Sequence, residues 1–345
     1  MEIKHLIRKN ILALSPYSTA RDEYTGNIGV FLDANENPFD NGYNRYPDPR
    51  QLELKQLLGK IKGVKPENMF IGNGSDEAID LLFRIFCSPG KDNAIAIAPS
   101  YGMYGVVADI NDVEMRNVLL APDFSLPVNA LLDAADSNSK LLFVCSPNNP
   151  TGNAFDRDSI LEVIENFNGI VVVDEAYIDF SDKPGLLDQL MAHPNLVILQ
   201  TLSKAWGMAG LRCGLAFASE EIIGYMNMVK YPYNINVSTT ENVKRLLNQP
   251  VADQVAVIKK ERELLAHNIA GLSFVEKVYP SDANFLLVKV DNADALYDYL
   301  IERGIIVRNR NRVVLCGGCV RITVGRPDEN RAVMDALHAY QQHDS

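Results

Sequence analysis

The sequence predicts an α/β fold: a large domain built on a mostly parallel sheet flanked by helices, then a smaller α+β C-terminal domain. Three observations carry this. From about residue 50, short apolar runs alternate with helical patterns, the signature of a parallel sheet. The runs NMFIGNG, NAIAIAPSY, KLLFVCSPNNP, GIVVVDEAY, NLVILQTLSK and LRCGLAFAS are apolar and β-branched on both faces, as strands are when helices cover each side. Several of them end in polar residues, Asn148-Asn149, Asp174-Glu175 and Ser203-Lys204, and in open α/β sheets ligands bind beyond the carboxyl ends of the strands.

In chain order, residues 1–30 read as an N-terminal arm with a short helix and an irregular segment, and residues 31–245 as the large domain. Near 240 the pattern changes. STTENVKRLL and VADQVAVIKKERELLAHNIAG read as long helices leading away. Residues 246–345 then form the small domain: strand NFLLVKV, helix ADALYDYLIERG, strand IIVRNR, strand CVRITVG, and a last helix opened by Pro327, Asp328 and Glu329. Proline and acidic residues suit a helix's first turn.

The length of 345 residues accommodates one large and one smaller domain, and 47% hydrophobic residues supply a sizeable core. A net charge of −11 argues against a nucleic-acid surface, which needs a basic stripe. It also means that an anionic substrate must be met by arginines placed locally. No apolar stretch approaches the roughly 18 residues that span a bilayer, so no membrane partner is expected, and the N-terminus lacks the apolar core of a signal peptide. Five cysteines, an odd count, then point to reduced thiols and a cytoplasmic setting. Cys316-Gly-Gly-Cys319 is a single CxxC, weak as a metal or redox motif, and the five histidines are scattered, so no metal is expected.

The chemistry concentrates at the strand ends. Lys204 follows an apolar strand; desolvation lowers a lysine's pKa and frees its amine to form a Schiff base with a carbonyl, although most lysines are simply solvated. Asp174 ends a strand with no other polar residue. It suits a pyridinium nitrogen, and equally a structural salt bridge or a helix N-cap. Tyr177 follows three residues on, close enough for a phenolic oxygen or for ordinary packing. In CSPNNPTG, prolines and a glycine fix a tight loop that holds Asn149, or simply make a turn. In GNGSDEAIDLLFRIF, glycines lead into an amphipathic helix with Ser75 and Asp76 at its start, which is either an anion site or a capping box. The GK[ST] of a Walker loop is absent. Eight residues after Lys204, past Gly207, Ala209 and Gly210, comes Arg212, whose guanidinium can grip a phosphate. An aldehyde, a phosphate and a pyridinium nitrogen together describe pyridoxal 5'-phosphate.

GNGSDE, PSYGMY, SPNNPTG, DEAY, SKAWGMAGLRCG and VRITVG, in this order, resemble the fold-type I pyridoxal-phosphate aminotransferases over essentially the whole chain. PYSTAR (16–21), LDANENP (32–38) and RYPDP (45–49) resemble the branch that moves an amino group between L-histidinol phosphate and 2-oxoglutarate, giving imidazole acetol phosphate and L-glutamate in histidine biosynthesis. The resemblance implies a seven-stranded sheet and a role for each matched residue. Lys204 would bond the cofactor and later carry a proton. Asp174 would pair with the ring nitrogen, Asn149 and Tyr177 would hold the phenolic oxygen, and Tyr101 would stack on the ring. Ser75, Asp76, Thr201, Ser203 and Arg212 would surround the cofactor phosphate, the first two partly through backbone N–H groups. Tyr46 would reach the neighbouring subunit's cofactor phosphate, implying a homodimer. Tyr17, Asn35, Arg308 and Arg321 would line the substrate pocket. Trp206 and Met208 depart from the smaller or other apolar residues expected in the lysine loop.

Three other readings stay open on the sequence. An aromatic-amino-acid aminotransferase shares the cofactor site. A phospho-amino-acid decarboxylase uses the same fold with a different bond cleaved. A non-catalytic regulatory domain would need an added DNA-binding module and should have lost Lys204 or Asp174.

Overall fold

The computed structural model describes residues 2–17 and 29–343. Residues 18–21 of PYSTAR lie outside the described residues.

Seven strands form the larger sheet: β1 (Met69–Asn73), β2 (Asn93–Ala98), β3 (Glu114–Leu119), β4 (Ser139–Cys145), β5 (Ile170–Asp174), β6 (Leu196–Thr201) and β7 (Cys213–Phe217). Their order is β1-β7-β6-β5-β4-β2-β3. Strands β2 to β6 pair in parallel, and β7 runs antiparallel to both of its neighbours. Alternate residues feed two separate cores. Phe70, Leu141, Phe143, Val172, Val197 and Leu199 pack with the helices Gly74–Phe86 and Glu220–Val229. Ile71, Leu142, Val144, Val171, Val173 and Ile198 pack with the helices Leu52–Lys62 and Arg157–Asn166. Both faces are thus covered, as the continuous apolar runs require.

Strand β3 escapes the sequence reading. It is an edge strand, and its residues Glu114, Arg116 and Asn117 are charged or polar. Edges are commonly blunted with charge, so β3 carries no continuous apolar run.

The C-terminal sheet has four antiparallel strands: β8 (Val275–Val278), β9 (Phe285–Val290), β10 (Arg308–Asn309) and β11 (Cys319–Thr323), in the order β10-β11-β9-β8. One face carries Leu286, Val288, Val320 and Ile322 against the helices Val251–Ala270, Ala293–Glu302 and Pro327–His343. From the other, Leu287 and Cys319 join the core beneath the seven-stranded sheet. The expected strand IIVRNR shrinks to Arg308–Asn309. Strand β8 is short and half exposed, which explains why its apolar signal is weak. Among the described residues, no helix is long and apolar enough to cross a membrane.

Candidate active site

One pocket collects Gly74, Ser75, Asp76, Tyr101, Cys145, Asn149, Asp174, Ala176, Tyr177, Thr201, Ser203, Lys204 and Arg212. It sits where the carboxyl ends of β4, β5 and β6 meet the start of the helix Gly74–Phe86.

The anion cradle depends on backbone proximity. Gly72 and Gly214 are register partners across β1 and β7. A Cβ on Gly214 would drive into the Gly74 carbonyl carbon and the Ser75 nitrogen, so only glycine lets the helix start lie over β7. Gly74 has φ +71, and a Cβ there would meet Arg212 Nη2 at 2.7 Å. The Gly74 N–H donates to the Arg212 carbonyl at 2.8 Å. Free N–H groups of the first helical turn and the Arg212 guanidinium thus face one space. The capping box expected of Ser75 and Asp76 is closed instead by Glu77, whose carboxylate accepts from the Asn73 N–H at 2.5 Å. Asp76 accepts from the Tyr101 hydroxyl at 3.1 Å and lies 3.6 Å from Arg212. Opposite Arg212, the Ser203 N–H donates to Thr201 Oγ1 at 3.1 Å.

Asp174 is 3% exposed. It accepts from the Tyr104 hydroxyl at 2.7 Å and from the Ala176 N–H at 3.0 Å. Burial raises its pKa, while the Tyr104 bond pulls it back. Tyr104 was not singled out from the sequence. Its position three residues after Tyr101 in PSYGMY, in the first turn of the helix Met103–Ile110, is the available signal. It is fully buried, stacks on Phe143 at 4.7 Å and touches Tyr101 edge-on at 5.5 Å. Cys145, also missed, lies at the pocket floor, and burial pushes its thiol far up.

Lys204 extends past the end of β6 and remains exposed. Its Nζ stands 5.5 Å from the Tyr177 ring centroid. Its pKa is lowered, first by desolvation and then by Arg321, against the pull of Asp174. Tyr177 is buried and packs edge-on against Phe285 at 5.2 Å; burial raises its phenol.

The two asparagines of the NNP loop divide the work. Asn148 is fully buried and donates to the Pro99 carbonyl at 3.0 Å and to Thr151 Oγ1 at 2.8 Å, so it builds the loop. Asn149 faces the pocket, where its carbonyl oxygen accepts from Arg321 Nη1. Arg321 therefore reaches the pocket edge, and Arg308 is its register partner on β10.

Arg308 and Arg321 do not line the pocket itself, and three more expected site residues lie apart from it within one chain. Tyr17, 77% exposed, lines a groove with Pro49, Lys55 and Lys230. Asn35 and Tyr46 line another, where Tyr46 stacks on Tyr233 at 4.4 Å. All three belong to segments lying outside the seven-stranded sheet. In the lysine loop, Met208 is buried in the main core, and Trp206 packs against its edge with Lys62 Nζ 5.5 Å away. Cys316 and Cys319 are free buried thiols, pushed up to about 12 and about 11 by burial.

Residues 30–337 match the family described as aminotransferase class I and II. The chain belongs to the class I and II aminotransferases. This chain is 54% identical to the histidinol-phosphate aminotransferase of Parabacteroides distasonis over 338 residues, 97% of this chain and 98% of that one. It is 53% identical to the enzyme of that name from Bacteroides fragilis over 342 residues, 98% of this chain and 99% of the other. Among solved structures, the aminotransferase fold is matched by histidinol-phosphate aminotransferase from Sinorhizobium meliloti in complex with pyridoxal-5'-phosphate. That match has a TM-score of 0.79 at 22% identity, covering 87% of this chain and 84% of that one. At that identity the likeness establishes the fold alone. Ten of the residues that the sequence marked for an aminotransferase site line one pocket: Ser75, Asp76, Tyr101, Asn149, Asp174, Tyr177, Thr201, Ser203, Lys204 and Arg212.

Proposed function

We propose that this aminotransferase exchanges an amino group between L-histidinol phosphate and 2-oxoglutarate, with pyridoxal 5'-phosphate as cofactor, in histidine biosynthesis. The observation that carries the reading is one pocket holding a lysine amine over Tyr177, a buried carboxylate and a helix-start anion cradle. The names of the half-identical relatives support the substrate.

The residues present fit the cofactor. A side chain on Gly74 would meet Arg212 and one on Gly214 would meet the helix start, so the two glycines leave open the cradle in which a phosphate would sit. Among the described residues the buried Asp174 carboxylate has no cationic partner in contact, and a protonated ring nitrogen would supply one. Ser75 and Asp76 through backbone N–H groups, with Thr201, Ser203 and Arg212, would hold the phosphate. The Asp76 side chain, itself an anion beside Arg212, serves Tyr101 instead. Tyr101 would stack on the ring, and Asn149 and Tyr177 would bond the phenolic oxygen.

Bound there, the cofactor supplies an aldehyde that takes up the substrate's amine and a ring that accepts electrons. Lys204, with its lowered pKa, is suited to remove the proton from the amine-bearing carbon and return it elsewhere. Asp174 would keep a proton on the ring nitrogen, its carboxylate oriented by the Tyr104 hydroxyl. Arg308 and Arg321 receive the phosphate of one substrate and the distal carboxylate of the other. Arg321→Ala therefore changes the Michaelis constants for both; unchanged constants would refute this dual use.

The assembly is a homodimer in which Tyr46 serves the neighbouring subunit's cofactor, and Tyr17 and Asn35 complete the substrate pocket there. Residues 1–30 form its arm, 31–245 the cofactor-binding domain and 246–345 the small domain. It works in the cytoplasm on small molecules, without nucleic acid or membrane. A coupled assay tests the reading: L-histidinol phosphate and 2-oxoglutarate should yield L-glutamate far faster than L-phenylalanine or L-tyrosine does. Faster turnover of the aromatic amino acids would move the assignment to an aromatic-amino-acid aminotransferase.

A further inference from the structure

Arg310 is absorbed by none of the roles above. It lies two residues past Arg308, and its N–H continues the ladder by donating to the Cys319 carbonyl at 2.9 Å. Arg308 pairs in register with Arg321, and Arg321 with Leu287 of β9. Residues two apart on a strand share a face, and directly opposed residues do too. Arg308, Arg310, Cys319 and Arg321 therefore occupy the face that carries Leu287 and Cys319 toward the large sheet.

Among the described residues, no carboxylate neutralises the three guanidiniums. The groups acting electrically on Arg310 are Arg308, Cys316 and Tyr177; those on Arg321 are Arg310, Tyr177 and Arg308. Nε of Arg310 and Nε of Arg321 are both buried without a hydrogen-bond partner among the described residues. Buried donors of charged groups cost free energy when left unsatisfied, and three like charges in one patch repel. The cluster is thus built for an anion that none of the described residues supplies, in a protein whose net charge is −11. Tyr177, which these arginines influence, lines the pocket beside Lys204.

We propose that Arg310 is a third guanidinium of the substrate site, and that it makes the site select a doubly charged phosphate over a carboxylate or an uncharged group. This rests on the proposed function. Two arginines suffice for a carboxylate, whereas a phosphate dianion offers more acceptor oxygens and more charge.

The test compares L-histidinol phosphate with L-histidinol, its phosphate-free counterpart, in single half-reactions of the cofactor-loaded enzyme followed by absorbance. Arg310→Gln should raise the half-saturating concentration of L-histidinol phosphate at least about tenfold. It should leave that of L-histidinol within about twofold and that of L-glutamate within about threefold. The L-glutamate reaction also certifies that the variant is folded and loaded. Arg310→Lys, a point charge without the fork, should recover part of the loss. Calorimetric titration with inorganic phosphate gives the same ordering without turnover: saturable heat in the wild-type holoenzyme, little in Arg310→Gln. Equal weakening toward both amines, or no weakening, overturns the inference while the proposed function stands. A wild-type enzyme that reacts with L-glutamate but is inert to L-histidinol phosphate overturns both.

Discussion

The Tyr104 hydroxyl donates to Asp174 Oδ2 at 2.7 Å, and both side chains are buried. A hydrogen bond to a charged acceptor favours the charged form. Tyr104 therefore opposes the rise in Asp174's pKa that burial imposes, as the proposed pairing of this carboxylate with a cationic ring nitrogen requires. Tyr104→Phe should load cofactor yet slow the half-reaction about tenfold, the scale of one charge-assisted bond. Asp174→Asn should slow it far more. An unchanged rate in Tyr104→Phe would show that the bond serves packing alone.

Lys204 is exposed, and its amine makes no hydrogen bond among the described residues; only its backbone carbonyl does, accepting from the Gly207 N–H. Its removal orphans nothing, so Lys204→Ala should shift stability by no more than about 0.5 kcal/mol. Turnover should be abolished. A variant that melts like wild type and still turns over at a near-native rate would refute the assignment of Lys204 as the reacting amine.

Gly214 allows the helix start to lie against β7. Gly214→Ala forces backbone against backbone where the phosphate cradle forms. We expect a cost of about 3 kcal/mol, at the upper end for overpacking, and loss of cofactor on dialysis. Thermal unfolding and the absorbance of the dialysed protein measure the two effects separately.

Glu175 faces away from the pocket. It accepts from Gln200 Nε2 at 2.9 Å and the Leu186 N–H at 2.7 Å, and the charges of Lys62 and Asp179 act on it in opposite directions. Burial holds its carboxyl up at about 7, against 4.5 ordinarily. The folded state then binds the proton more tightly than the unfolded one. Its stabilising contribution is full below about pH 4.5 and is lost as the pH rises through 7. Glu175→Gln stays neutral, so its stability relative to wild type should improve between pH 5 and pH 8, by on the order of 2–3 kcal/mol. Denaturant melts at the two pH values check the sign; a difference that does not grow with pH contradicts it.

The six fully apolar strands were legible because burial on both faces leaves no room for polar residues in Val171–Val173 or Leu196–Leu199. Strand β3 was not, since an edge strand is selected for charge, nor was β8, four residues long and half exposed. In the site, residues at strand ends could be found because a polar residue there breaks an apolar run. Cys145 could not, and Tyr104 had only its spacing from Tyr101 to mark it: an aromatic or a thiol in a core segment reads as packing until its neighbour is known. Arg310 sat in RNRNR, where alternation hides which arginines share a face until the register with β11 is fixed. Tyr17, Asn35 and Tyr46 stand in grooves away from the pocket in a single chain. Their place in the site was implied only by the resemblance, and one chain does not bring them to the pocket.

The most direct measurement is an absorbance titration of the purified, cofactor-loaded protein with L-histidinol phosphate alone. The account predicts that the band of the Lys204-bound aldehyde form falls and the band of the amine form rises, stoichiometrically, with no second substrate present. A protein whose bands respond to L-glutamate but stay unchanged on adding L-histidinol phosphate would contradict the proposed substrate.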